Sequence, residues 1–110
     1  MKLLSRMFLL LTAFYASSSL ADEWTTGFTM IKVSDEVVDY EVDVAIWYPT
    51  QIQAKKETIG SAILYVAKGA KPLPISNGLI IISHGFSGDY LGHNNIAQFL
   101  AKLGYVVATP

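Results

Sequence analysis

Apolar and polar residues alternate most cleanly between Val38 and Tyr48. There Val38, Tyr40, Val42, Val44, Ile46 and Tyr48 interleave with Asp39, Glu41, Asp43, Ala45 and Trp47. A period of two sends successive side chains to opposite faces of a strand. The pattern predicts an antiparallel strand with one apolar face on the core and one largely charged face in water, the acidic stripe being solvated and not a binding site. Pro49 lacks the N–H a ladder needs and is expected to end it. Upstream, residues 28–33 read as a strand followed by a turn at Ser34-Asp35-Glu36, which gives an antiparallel hairpin.

Later the period changes. Leu79 to Ser83 is apolar on both faces, as in a central strand covered on each side. Ile96, Phe99, Leu100 and Leu103 recur at i, i+3, i+4 and i+7, one apolar stripe along a helix. Asn95 with Gln98 three residues on fits a capping box, and Gly104 a left-handed stop. Tyr105 to Ala108 then reads as another buried strand. Strand, helix, strand makes a βαβ unit, so these two strands are predicted to be parallel, with the Tyr105–Ala108 strand left as an open edge. Residues 50–77 form a variable connection, with a weak strand signal at Ala62-Ile63-Leu64-Tyr65-Val66 and turn chemistry from Lys68 to Asn77.

The first residues change the picture. Lys2 and Arg6 precede an apolar core from Met7 to Tyr15, and small residues follow from Ala16 to Ala21. This is the layout of a secretory signal peptide, residues 1–21, cleaved after Ala21. A membrane anchor needs about 20 apolar residues, roughly twice this core, so no stable anchor is expected. Export to the periplasm or the medium follows. Removing Lys2 and Arg6 from the eight basic residues leaves six against nine acidic ones, a net charge of −3. A nucleic-acid surface would want the opposite sign. Zero cysteines leave residues 22–110 without a disulfide framework, dependent on apolar burial alone.

Three segments in order carry a resemblance. They are Ala45-Ile46-Trp47-Tyr48-Pro49, the loop Ala67-Lys68-Gly69-Ala70 with Pro72 and Pro74, and Ile82-Ser83-His84-Gly85-Phe86-Ser87-Gly88 leading through a helix to Gly104-Tyr105-Val106-Val107-Ala108-Thr109-Pro110. Residues 28–110 resemble the amino-terminal part of an α/β-hydrolase of the dienelactone-hydrolase-like and platelet-activating-factor-acetylhydrolase-like esterases. The resemblance implies an α/β fold in which an antiparallel β hairpin and a βαβ unit form an incomplete hydrolase sheet. It implies a carboxylic-ester substrate and neither cofactor nor metal. It also assigns the backbone N–H of Phe86 as one oxyanion-hole donor, with His84 and Gly85 shaping the turn and His84 not acting as the base. Tyr90 and Leu91, just beyond, are the expected substrate contacts.

The rest of the expected machinery is not in these residues. No G-x-S-x-G elbow occurs, and in Gly85-Phe86-Ser87-Gly88 the glycine follows the serine directly, so Ser87 does not fit the nucleophile position. Ser87, Asp89 and His93 lie too close in sequence to converge as a triad, and His84, Asp89 and His93 match no metal-ligand spacing. Trp47 and Tyr48 fit a core better than an acyl pocket. Two readings remain from sequence: the inactive front portion of an exported serine hydrolase, or a non-catalytic remnant or binding module that keeps the front half of one.

Overall fold

The structure, a computed structural model, describes residues 24–110. The signal peptide and its cleavage point lie outside the described residues. The alternating segment and its upstream neighbour pair antiparallel as expected, but the turn lies at residues 36–39 and not at Ser34-Asp35-Glu36, because the ladder continues through Ser34 and Asp35. β1 (Thr25–Asp35) and β2 (Tyr40–Thr50) run antiparallel, from Thr25 opposite Thr50 to Asp35 opposite Tyr40. The Asp35 carboxylate accepts the Val37 N–H at 2.8 Å to begin the connecting turn. β2 runs through Pro49 to Thr50. Its pairing with the neighbour on its other side stops at Trp47, so the missing N–H of Pro49 interrupts no ladder there.

The variable connection contains a hairpin. β3 (Lys55–Ile59) and β4 (Ala62–Lys68) are antiparallel around Gly60, whose φ of +55° suits glycine. The weak signal at residues 62–66 is β4. β3 escapes the sequence reading because Lys55, Lys56 and Glu57 form an outer edge whose buried residue is Ile59. β4 lies parallel to β1 through Gly27 and Phe28. Beyond the loop come β5 (Leu79–Ile81), α1 (Asn94–Lys102) and β6 (Val106–Thr109), with β5 and β6 parallel as predicted. The sheet order is β3-β4-β1-β2-β6-β5.

That order corrects the expected edge. β6 inserts between β2 and β5, so β5, and not the later strand, lies at the sheet edge among the described residues, with Leu79 and Ile81 exposed. The register separates the two faces. Phe28, Trp47 and Val107 share one with Leu64 and Val66, and this face forms the core with Ala97 and Ala101 of α1 and Leu91. It also corrects the wet face of β2: Glu41 and Asp43 are exposed, but Ala45 and Trp47 on the same face are fully buried in that core. Ile31, Val33, Tyr40, Leu79 and Ile81 lie on the opposite face and remain exposed.

α1 uses a different stripe from the predicted one. Ala97 and Ala101 are buried and Leu100 half-buried, whereas Ile96, Phe99 and Leu103 are exposed. Small residues let the helix sit close enough for the Thr26 hydroxyl to donate to the Gln98 carbonyl at 3.1 Å. The larger residues flank that contact. The Asn95–Gln98 capping box is absent: His93 is the N-cap without a side-chain bond, and Gln98 instead donates to the Asn94 side chain at 3.1 Å. The stop at Gly104 is as expected, with φ +98°. Gly104 N–H donates to Ala101 at 3.0 Å and Tyr105 N–H to Leu100 at 3.1 Å, the paired bonds of a Schellman motif.

Two groups are expected to make this fold sensitive to alkali. Lys32 donates to Asp43 at 3.1 Å across the strand pair and lies 3.7 Å from Glu41. The hydrogen bond to Asp43, with the attraction of both carboxylates, raises its pKa above the ordinary 10.5. Burial raises the Tyr48 phenol above its ordinary 10.0. Each holds its proton more tightly folded than unfolded, so the associated stability is fully present below about pH 10 and lost as pH rises through the raised values. Urea midpoints are expected to stay level up to about pH 10 and to fall as pH rises beyond it, and Tyr48→Phe should flatten part of that fall. A Tyr48→Phe protein with the same alkaline slope as the parent would exclude the phenol as a contributor.

Candidate functional site

β5 delivers the chain into the segment most suited to chemistry. Ile82 N–H still donates to the Ala108 carbonyl at 2.9 Å, after which the chain leaves the sheet. The Gly85 carbonyl accepts the Gly88 N–H at 3.0 Å and closes a four-residue turn with Phe86 and Ser87 at its corners. Ser87 has φ +66° and Phe86 a negative φ, the sign pattern of a type II turn. In a trans peptide the N–H points opposite to the C=O. The inward Gly85 carbonyl therefore sends the Phe86 N–H outward, and among the described residues it meets no protein acceptor. The Phe86 side chain is fully exposed.

His84 reinforces that peptide. Its Nδ1 lies 2.8 Å from the same Gly85 carbonyl. A carbonyl only accepts, so Nδ1 is the donor in this contact. Two donors on one carbonyl polarise the peptide and strengthen its N–H as a donor. Gly88 is needed for the fit, because a Cβ there would lie 2.8 Å from His84 Cβ. At Gly85 a Cβ would meet nothing within 4 Å, so that glycine leaves the approach to the turn open.

The following residues fold back onto the core. Asp89 accepts the Leu91 N–H on its carboxylate at 2.8 Å and the Gly92 N–H on its carbonyl at 3.0 Å. Of the two expected substrate contacts, Tyr90 is half-buried and Leu91 is buried in the core cluster. His84, Asp89 and His93 hold separate duties, His93 offering its carbonyl to the Ala97 N–H at 3.1 Å. Trp47 and Tyr48 are core residues. The Trp47 ring meets Phe28 edge-on at 4.7 Å, and the Tyr48 hydroxyl donates to the Ala70 carbonyl at 2.5 Å. A cavity of about 390 Å³ lies elsewhere, beside Trp24, Tyr65 and Lys102.

One polar pair escaped the sequence reading. Trp47 Nε1–H donates to the Thr109 hydroxyl at 3.0 Å, and that hydroxyl donates to the Tyr90 carbonyl at 2.7 Å. A buried indole requires an acceptor, and Thr109 is the polar residue in an otherwise apolar β6; that was the available signal.

A mixed sheet with a helix packed on one face, built from antiparallel hairpins and a βαβ unit, defines an α/β protein. No protein-family model and no curated protein matches the chain. A ferulic acid esterase from Streptomyces cinnamoneus is structurally similar, with a TM-score of 0.61 and 19% identity. The match covers 86% of this chain and 34% of the esterase, so the chain spans about a third of that enzyme's length. What the two share at this identity is the fold.

Proposed function

We propose that this chain is the amino-terminal part of an exported serine hydrolase acting on carboxylic esters, and that the Phe86 N–H is one of its two oxyanion donors. The observation that carries the reading is the outward Phe86 N–H, polarised by His84, at the carboxyl end of a strand in an esterase-like fold. In the complete enzyme a serine would attack the ester carbonyl. The developing oxyanion would accept hydrogen bonds from Phe86 and from the N–H following that serine; collapse of the intermediate would break the ester C–O bond and release the alcohol, and water would then hydrolyse the acyl-serine to the acid and the free serine. Tyr90, backed by Leu91, would border the substrate. The dienelactone-hydrolase-like grouping belongs to the same proposal, as does an inactive state for residues 22–110 alone. The exposed β5 edge and the apolar face carrying Ile31, Val33, Leu79 and Ile81 support it, since parallel strands are ordinarily covered on both faces.

The DNA beyond codon 110 tests this reading. An in-frame G-x-S-x-G followed by Asp and His is expected, and the protein bearing it should hydrolyse short p-nitrophenyl esters. The 110-residue chain should not. Absence of an elbow in every frame would favour a non-catalytic binding module. Turnover by the chain itself that Ser87→Ala abolishes would overturn the assignment of the nucleophile to another segment.

A further inference from the structure

We propose that Thr109, oriented by Trp47, is the positioning residue that holds the Phe86 turn at a fixed height over the sheet; this rests on reading Phe86 as the oxyanion donor. Thr109 is 2% exposed and Trp47 0%. A hydroxyl has one proton. With the Trp47 indole N–H entering its lone pair, that proton goes to the Tyr90 carbonyl at 2.7 Å and not to the Ala45 carbonyl at 3.5 Å.

The bond matters because of what surrounds it. Among the described residues, the other hydrogen bonds of residues 83–92 are local. They join His84 to Gly85, Gly88 to Gly85, Leu91 and Gly92 to Asp89, and Asn94 to Leu91. Such bonds shape the loop without fixing it to the sheet. Upstream, Ile82 N–H still ties the chain to β6; downstream of the turn the Thr109 hydroxyl supplies the sheet attachment, from the strand next to β5, and Leu91 adds an apolar anchor at the same point. Loss of the hydroxyl leaves an indole N–H and a carbonyl unpaired and frees the turn to ride up or down.

Amide hydrogen exchange on the full chain tests the proposal. Thr109→Val should speed exchange of the hydrogen-bonded Gly88, Leu91 and Gly92 amides by about tenfold, and Thr109→Ser should restore it. Thr26→Val is the control, since it removes the hydroxyl bond of another buried threonine, that to Gln98, without touching the loop. It should leave the Gly88, Leu91 and Gly92 amides unchanged relative to the β1–β2 amides. Trp47→Phe keeps a ring and leaves the Tyr90 carbonyl within reach of the hydroxyl but removes the indole donor that orients it, and should give a smaller version of the same local effect, readable even where Thr109→Val does not fold. Equal changes in the Thr109 and Thr26 variants, or an unchanged loop in Trp47→Phe, would reject the positioning role. Because exchange is read without substrate, such a result leaves the Phe86 assignment to be judged by catalysis.

Discussion

Phe86→Pro, made in the elbow-bearing protein, is expected to lower kcat by roughly 10²- to 10³-fold with little change in KM, the usual cost of losing one oxyanion donor. The substitution fits the backbone. Phe86 occupies the first corner of a type II turn, where proline is favoured, and the Gly88 N–H to Gly85 carbonyl bond that closes the turn does not use the Phe86 N–H. Gly85 before it tolerates the extended conformation a following proline demands. The substitution therefore deletes a single N–H from an otherwise intact turn. Phe86→Ala supplies the control: the side chain is fully exposed, the N–H remains, and kcat should stay within a few-fold. Steady-state kinetics on p-nitrophenyl acetate decide the matter. A proline variant with the parent kcat would remove Phe86 from the oxyanion hole.

The turn itself was legible in sequence because its chemistry is local. Four apolar residues before a His-Gly pair already mark a strand feeding a tight turn, and the structure adds which peptide is polarised and which way its N–H faces. The hairpin of β1 and β2 and the parallel pairing of β5 with β6 were legible for the same reason: period and connection length fix them. Residues whose role depends on distant partners were not. Ile96, Phe99 and Leu103 satisfy helical periodicity better than Ala97 and Ala101 do, yet close approach to Thr26 selects the alanines for burial. The apolar run at Leu79 describes a strand made for two covered faces, whereas its edge position follows from β6 inserting beside β2. Thr109 gives no periodic signal at all, since its partners lie 62 and 19 residues away in sequence.

Gly27→Ala is expected to cost about 1–4 kcal/mol net, from overpacking of roughly 1–3 and a displaced hydrogen bond of about 1, less the small strand preference of alanine over glycine. Gly27 sits opposite Tyr48 in the β1–β2 register, and the Tyr48 ring lies across it. A Cβ at Gly27 would fall 2.2 Å from Tyr48 Cε2, 2.6 Å from Cδ2 and 2.7 Å from Cζ. Neither side can yield cheaply. Gly27 is held by β2 on one side and by Ala67 of β4 on the other, and the ring is held by its hydroxyl bond to Ala70. Swinging the ring away would also disturb the segment that Gly69 N–H and Leu73 N–H tie to Phe28 and Pro49, each at 2.9 Å. The strand preference of alanine over glycine returns at most about 1 kcal/mol. With a urea slope near 1 kcal/mol per molar for a domain this small, the midpoint should drop by about 1 M or more. Tyr48→Leu removes the obstructing ring, so adding Gly27→Ala to that variant should change the midpoint little. A Gly27→Ala protein with the parent midpoint, or one equally destabilised in both backgrounds, would show that the Tyr48 ring is not what reserves this position for glycine.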